Sequence, residues 1–378
     1  MQRTDSETVN SIRRSELSAN VQTVACSLGV NLVPLYSLDP IVDKRWEALV
    51  ASHPRASVFH QAGWLKALAV TYDYKPLVLT STPEGRPLQD GIVFAEIKSW
   101  ITGCRLVSLP FADHCDPLLS DGGDIRDLGP WLEAQCQTRR WNYVELRPLS
   151  WELGSGGPFD PGQSFWLHTL SLTPSLEEIF RGFHANCMQR RIRRAGRAQL
   201  LYERGRSSEN LRDFYKLLMI TRRRHQLPPQ PLAWFRNLIT CLGPKLDIRV
   251  ARKDGLPIAA IFTLRHGATA VYKYGCSDDG YHHLGAMPFL FWKFIEESKA
   301  EGVEQLDFGR TDLCNDGLVA FKDHFGTTRR RFTYIRCSHP KRRSNAIVRH
   351  VPGVGRVFSF MPDAISSRLG ELLYRHIG

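Results

Sequence analysis

Apolar residues along this chain follow two periodicities that sort it into two similar halves. In the first, Trp64, Leu65 and Leu68 recur at helical spacing and predict a helix over Val58–Val70. LVLTS (77–81) and GIVFAEI (91–97) flank PEGRPLQD and predict a strand, a loop and a strand. RLVSLP (105–110) predicts a third strand, the run from Leu128 to Arg139 a helix, and YVELR (143–147) a closing strand. In the second half, Leu211–Arg224 predicts a helix. IRVAR (248–252) and IAAIFTL (258–264) flank KDGLP, whose Asp254–Gly255 tip predicts a tight hairpin. TAVYKYG (269–275) follows as a strand, then a helix from Pro288 to Ala300 and a closing strand, EQLDFG (304–309).

Helix, hairpin, strand, helix, strand thus occurs twice. Each copy has a Trp in its last helix (Trp131, Trp292) and an acid in its closing strand (Glu145, Asp307). The repeated order predicts a duplicated α+β unit, in which each copy is a mixed sheet flanked by helices. WELGSGGPFDPGQ (151–163), rich in Gly and Pro, reads as a turn or linker between them. The expected division is a flexible polar leader (1–30), a first domain (31–165), a second (166–340) and a basic amphipathic tail (341–378).

Composition narrows the class. With 43% hydrophobic residues in 378, wholesale disorder is excluded. Lys and Arg total 50 against 38 Asp and Glu, and the formal charge of +12 favours anionic partners. Nine scattered cysteines without a CxxC pair read as reduced thiols, with no set at metal-ligand spacing. The start has no apolar signal segment, and no stretch is long and apolar enough to span a bilayer. A soluble, cytoplasmic protein is expected.

Five segments carry candidate chemistry. FHANCMQRRIRRAGRAQLLYERGR (183–206) holds seven arginines and one acid, Glu203. Arg190, Arg194 and Arg197 share a helix face, and such planar cations suit phosphate; the alternative is a solvated face paired with acids elsewhere. LDFGRTDLCNDGLVAFKDHFGTTRRRF (306–332) ends a strand in a polar loop with Arg310 and Asp312, then offers Lys322 beside Phe321. Lys322 could neutralise an oxyanion; alternatively Phe321 and Phe325 are the buried face of a short helix and Lys322 is solvated. FADHCDPLLSDGGD (111–124) groups Asp113, His114, Asp116, Asp121 and Asp124, which suit either an amine acceptor's proton or simple turns. SDDGYHHLGAMPFLFW (277–292) leads a loop into a helix, whose N–H groups can hold pyrophosphate. The tail mixes arginines with Val357, Phe358, Leu369 and Leu372, and either binds an anionic membrane surface or docks on its own protein.

These residues resemble a known family. QRRIRRAGR, the Asp-Gly hairpin, MPFLFWKFIEESKAEGVEQLDFGR and AFKDHFG resemble the FemAB-like branch of the GNAT superfamily, and VFHQAGWLKAL with SLPFADHCDPLL resembles its other copy. The likeness runs over roughly residues 40–340. The basic C-terminus is similar to that of FemAB-related proteins encoded with bacterial exopolysaccharide and exosortase systems. The resemblance implies tandem GNAT-like domains and an N-acyltransferase of cell-envelope or exopolysaccharide metabolism. Characterised members transfer an amino acid from aminoacyl-tRNA to a peptidoglycan-precursor amine without a metal; others are acetyltransferases of a BioF2-like type.

The resemblance also distributes roles. Phe321 and Lys322 fall on the family's Phe–Lys pair, with the lysine at the developing oxyanion and Arg310 lining the same cleft. Asp116 lies near the acidic residue that orients the amine, although Asp113 or Asp121 could be meant. His282 and Gly285 fit the donor-phosphate loop loosely, with Met287 where a small residue belongs. Arg190, Arg191, Arg194 and Asp312 complete the expected binding set. The implied donor is acyl-CoA or aminoacyl-tRNA, with no tightly bound cofactor, and the acceptor is an amine on a nucleotide- or lipid-linked molecule. No heptad coiled coil interrupts the second domain, unlike the arm-bearing staphylococcal-type members. A non-catalytic RNA- or membrane-binding adaptor is the alternative from another class.

Overall fold

The computed structural model describes residues 35–120, 125–149, 159–338 and 363–377. The leader, Asp121, Asp124, most of the Gly/Pro-rich segment and the first part of the tail lie outside them.

The first half runs β1 (Tyr36–Leu38), α1 (Lys44–Ser52), α2 (Ala62–Tyr72), β2 (Lys75–Thr80), β3 (Ile92–Ser99), β4 (Gly103–Ser108), α3 (Gly129–Arg139) and β5 (Tyr143–Leu146). After β6 (Phe159–Ser171) come α4 (Leu176–Gly182), a π-helical turn (Ala185–Gln189), α5 (Arg190–Arg197), β7 (Leu201–Gly205), α6 (Ser208–Arg224) and α7 (Leu232–Leu242). The chain continues as β8 (Leu246–Lys253), β9 (Leu256–His266), β10 (Thr269–Ser277), α8 (Ala286–Ala300), β11 (Gln305–Asp312), α9 (Asp316–Asp323), β12 (Thr328–Ser338) and α10 (Asp363–Ile377).

All twelve strands join one sheet in the order β1-β2-β3-β4-β5-β12-β6-β11-β10-β9-β8-β7. About its centre the order mirrors itself: β4 and β5 pair in parallel on one side, β10 and β11 on the other. The remaining neighbours are antiparallel, so each half is a mixed sheet, with α3 and α8 as the corresponding crossovers between its parallel strands. This is the repeated order that the periodicities predicted. The hairpin tip behaves as its sequence requires, because Asp254 and Gly255 both take positive φ (51° and 79°).

Two strands hidden from the periodicity hold the halves together. β6 and β12 pair along most of their length at the middle of the sheet, and each also pairs outward, β6 to β11 and β12 to β5. Phe159–Gln163 therefore corrects the linker expectation: these residues begin a thirteen-residue strand. Pro161 and Gly162 disguised it. They sit where the β6–β12 register shifts, and a Cβ on Gly162 would meet the Tyr334 carbonyl oxygen at 2.9 Å. Linker composition here is bulge composition.

The apolar core is divided by the sheet. On one side Trp46, Trp64, Trp234 and Phe214 pack helices from both halves together; on the other, Phe291, Phe308 and Phe325 lie under α8 and α9. The tail helix docks on its own protein. Tyr74 donates to the Tyr374 carbonyl at 2.7 Å, Arg105 donates to the His376 carbonyl at 2.8 Å, and Gly370 lies against the Pro229 carbonyl. Among the described residues no helix is long and apolar enough to cross a membrane.

Candidate active site

The parallel strands β10 and β11 pair only from Thr269–Val271 to Gln305–Asp307. Beyond that they part, β10 following β9 and β11 following β6 through a bulge between Asp307 and Arg310. The bulge centres on Gly309 (φ 71°), and a Cβ there would sit 3.1 Å from Asp113 Oδ2. Glycine thus gives the backbone its turn and makes room for a carboxylate from the other half.

That carboxylate is held from several sides. Lys273 Nζ of β10 donates to Asp113 Oδ2 at 2.9 Å, and Arg310 Nε lies 3.9 Å from Oδ1. Tyr334 of β12 donates its hydroxyl to the Asp113 carbonyl at 2.7 Å and receives a hydrogen bond from Arg310. Burial pushes the Asp113 carboxyl upward, but Lys273 and Arg310 outweigh it and hold the group below the usual range. Lys273 is pulled down by burial, with Asp113 opposing. The result is a buried Lys–Asp contact inside the sheet.

Lys322 approaches from the opposite side. It is only 2% exposed, in a helix capped by Asn315, whose side chain accepts from Leu318 N. Its ammonium donates to the carbonyls of Gly309 at 2.9 Å and Arg310 at 3.2 Å. Burial lowers it to about 8, while Asp113 and Asp307 favour its charge. Of the two sequence readings, the solvated lysine is excluded. Phe321 is half-buried against Phe291 and Phe325, so it belongs to the core beside this lysine's helix.

The loop carrying Asp113 is fixed by buried polar bonds. Arg147 donates to the carbonyls of Leu109 and Ala112, and accepts Cys115 N–H on its own carbonyl at 2.7 Å. Glu145 holds Arg147 (2.9 Å) and Arg336 (2.7 Å). Asp116 has other partners: its Oδ1 accepts from Leu149 N at 2.7 Å and its carbonyl from His60 Nε2 at 2.8 Å. His114 meets the acid of the second closing strand, Nε2 to Asp307 Oδ2 at 2.7 Å. Burial opposes the imidazolium there, yet the Asp307 bond and charge raise the ring above its ordinary value. The acids matched in the two halves thus serve different partners.

A cavity of about 280 Å³ opens between the halves beside this pair. His114, Asp116, Asp307, Arg55, His266 and Arg330 supply polar lining, and Leu167 and Val271 an apolar floor. Asp307 connects it to the splayed strands.

The arginine-rich helix lies elsewhere. Arg190, Arg191, Arg193, Arg194 and Arg197 are exposed on α5, and none forms an ion pair with an acid among the described residues. Arg194 donates to the His283 carbonyl at 3.0 Å, which seats α5 against the start of α8. Gly285 (φ 78°) caps that start, where a Cβ would come 2.5 Å from the Arg191 carbonyl oxygen. His282 is exposed and hydrogen-bonded to Ser277 Oγ at 2.8 Å. Arg204 is different: Asp247, Glu297 and Glu301 surround it, so that part of the run is structural. Asp312 is exposed at the end of β11.

Sequence reasoning placed Lys322, Arg310 and Asp113 among its candidates but missed Lys273 and Tyr334. A lysine inside VYKYG, among apolar and aromatic neighbours on a central strand, was the available signal.

Known proteins define the class. The acetyltransferase (GNAT) domain family model matches residues 183–323. Solved structures share the larger fold. FemX aligns with a TM-score of 0.62 at 13% identity, covering 79% of this chain and 96% of that one. A conserved protein of unknown function from Bacteroides thetaiotaomicron gives 0.53 at 12%, covering 81% and 100%. L-PGS from Bacillus licheniformis gives 0.50 at 13%, covering 80% and 93%. No curated protein sequence matches the chain. Residues 183–323 thus match a GNAT acetyltransferase domain, and the described chain shares the fold of FemX, a mixed sheet repeated in two halves and flanked by helices.

Proposed function

We propose that the chain transfers an acyl or aminoacyl group from a phosphate-bearing donor to an amine acceptor, at the opened β10/β11 pair. The observation that carries this reading is Lys322, a buried ammonium held on the Gly309 and Arg310 carbonyls where the strands part. The donor's phosphates would lie on the exposed arginines Arg190, Arg191 and Arg194 and at the start of α8, beside Gly285 and His282. The acceptor would enter through the cavity lined by His114 and Asp116.

The amine nitrogen attacks the donor carbonyl carbon, forming a C–N bond and a tetrahedral oxyanion. Lys322 neutralises that charge, and Arg310 supports it. Collapse breaks the donor's C–S or C–O bond, and the amine's proton leaves with the departing thiol or hydroxyl. Asp113, kept ionised by Lys273, orients the amine rather than acting as a strong base, because a carboxylate is far weaker than an amine. Asp116 shapes the acceptor loop. Holding both reactants in line accounts for much of the rate.

The cell envelope is the proposed setting, on the inner face of the membrane, with residues 31–165 supplying acceptor contacts and 166–340 the donor site. The exposed arginines favour a donor with several phosphates, a property CoA and aminoacyl-tRNA share. The test incubates purified protein with an amine acceptor and either labelled acyl-CoA or charged tRNA. Transfer from one donor, lost in Lys322→Ala with an unchanged circular dichroism spectrum, is the expected result. Full transfer by Lys322→Ala, or salt-sensitive RNA binding without turnover from either donor, overturns it.

A further inference from the structure

We propose that His184, Cys187 and His324 form a binding site for one thiolate-seeking transition-metal ion of the zinc class, separate from the transfer site. Donor atoms from the three side chains all lie within 4.8 Å of one another. The two imidazole centroids are 4.5 Å apart, and His184 N donates to the His324 carbonyl at 2.9 Å, so backbone as well as side chains are matched. His184 caps the π-helical turn Ala185–Gln189, and that turn carries Cys187. Single π turns of this kind occur often at functional positions.

Zinc sits about 2.0–2.3 Å from nitrogen and sulfur, so tetrahedral ligands are roughly 3.4–3.8 Å apart. Closing the last ångström requires only side-chain rotation, since His184 is exposed and Cys187 and His324 are half-exposed. The lone pairs are within reach. His184 Nδ1 accepts from Cys187 N at 3.2 Å, and ligation through either ring nitrogen gives up this long, weak bond. The Cys187 thiol exchanges its proton for the metal, and the proton passes to solvent.

The donor set selects the ion. Two imidazoles and a thiolate suit zinc or cobalt and offer nothing to magnesium or calcium, which need oxygen ligands. The thiolate also offsets the charge of nearby Arg191. A fourth position faces solvent. Because His184 leads into α5 and His324 follows Lys322 by two residues, a bound ion would tie the arginine helix to the helix carrying that lysine.

The full chain, stripped with a chelator, is titrated with cobalt(II) and, separately, dialysed against zinc and assayed for metal content. One equivalent is expected, with a thiolate-to-cobalt charge-transfer band that disappears in Cys187→Ser. His184→Asn and His324→Asn should each weaken binding by roughly 100-fold, the upper end for loss of even an outer-shell partner. Cys314→Ser, at an exposed cysteine elsewhere, should change nothing. No stoichiometric binding, or binding that survives Cys187→Ser in folded protein, overturns the site. Neither readout depends on turnover.

Discussion

Lys273 of the second half donates to Asp113 of the first at 2.9 Å, inside a gap between two strands that would otherwise be backbone-paired. The site therefore exists only when both halves are in place. Arg310 of β11 lies 3.9 Å from the same carboxylate and Tyr334 of β12 donates to the Asp113 main-chain carbonyl, so one residue ties the first half to three strands of the sheet.

Removing one member of that pair should cost more than removing both. Asp113→Ala leaves Lys273 buried without its counter-charge, and breaking such a pair typically costs about 3–5 kcal/mol. The double variant Asp113→Ala with Lys273→Met should recover a substantial part of this loss. Urea unfolding of the two single variants and the double variant measures the coupling; additive losses would contradict a direct pair.

Lys322 should impose an alkaline limit on transfer. Its charge is lost as pH rises through about 8, so kcat/KM should fall tenfold per unit above that point. Lys322→Ala should lower kcat by roughly 10²–10³-fold, the usual effect of removing an oxyanion-stabilising donor. The stability effect has the opposite sign. Because the folded value lies below the ordinary 10.5, the charge penalises folding below about 8, and that penalty fades towards 10.5. Rate and melting profiles over this range separate the two.

His60 should make the fold acid-sensitive. It is fully buried, donates Nε2–H to the Asp116 carbonyl at 2.8 Å, and accepts from Ser57 N at 3.0 Å, which fixes a neutral tautomer. Burial lowers it to about 4. Its contribution is complete above 6.5 and is lost as pH falls towards 4, about 3 kcal/mol in all. His114 acts in the other window: raised by Asp307, it stabilises fully below 6.5 and loses this effect as pH rises through its folded value. His60→Asn should flatten the acid limb of denaturant-midpoint profiles and leave the neutral-to-alkaline limb in place.

Gly285→Ala should damage donor binding selectively. Alanine disfavours a φ of 78°, and its Cβ would press on the Arg191 carbonyl at 2.5 Å, so α5 and the start of α8 must separate. We expect a raised donor KM together with a loss of about 1–3 kcal/mol of stability. A donor titration beside a thermal melt checks both. An unchanged KM would remove this junction from the donor site.

The two periodicities made the outer strands and their helices legible, because each has one buried face and a polar other face. α7, β6 and β12 were harder. β6 carries a bulge with Pro and Gly, and β12 opens with three arginines at 329–331 that its exposed end tolerates. Lys322 could be singled out from its Phe–Lys neighbourhood, but its burial could not, since a lysine beside phenylalanines is ordinarily solvated. Asp113 and Asp116 were equivalent in sequence, three residues apart in one turn-rich loop. The bonds from Lys273 and Leu149 tell them apart.

Local spacing thus determined the repeated helix-and-strand order, the hairpin tip and the excess of cationic side chains on α5, all of which depend on neighbours along the chain. Tertiary structure decided the rest: which acid faces the splayed strands, which arginines are paired, and that the tail helix returns to the protein. Those choices rest on partners up to some 300 residues apart, as for Tyr74 and Tyr374. Burial and charge pairing between such distant residues arise only when the sheet closes at β6 and β12, and no local pattern encodes them.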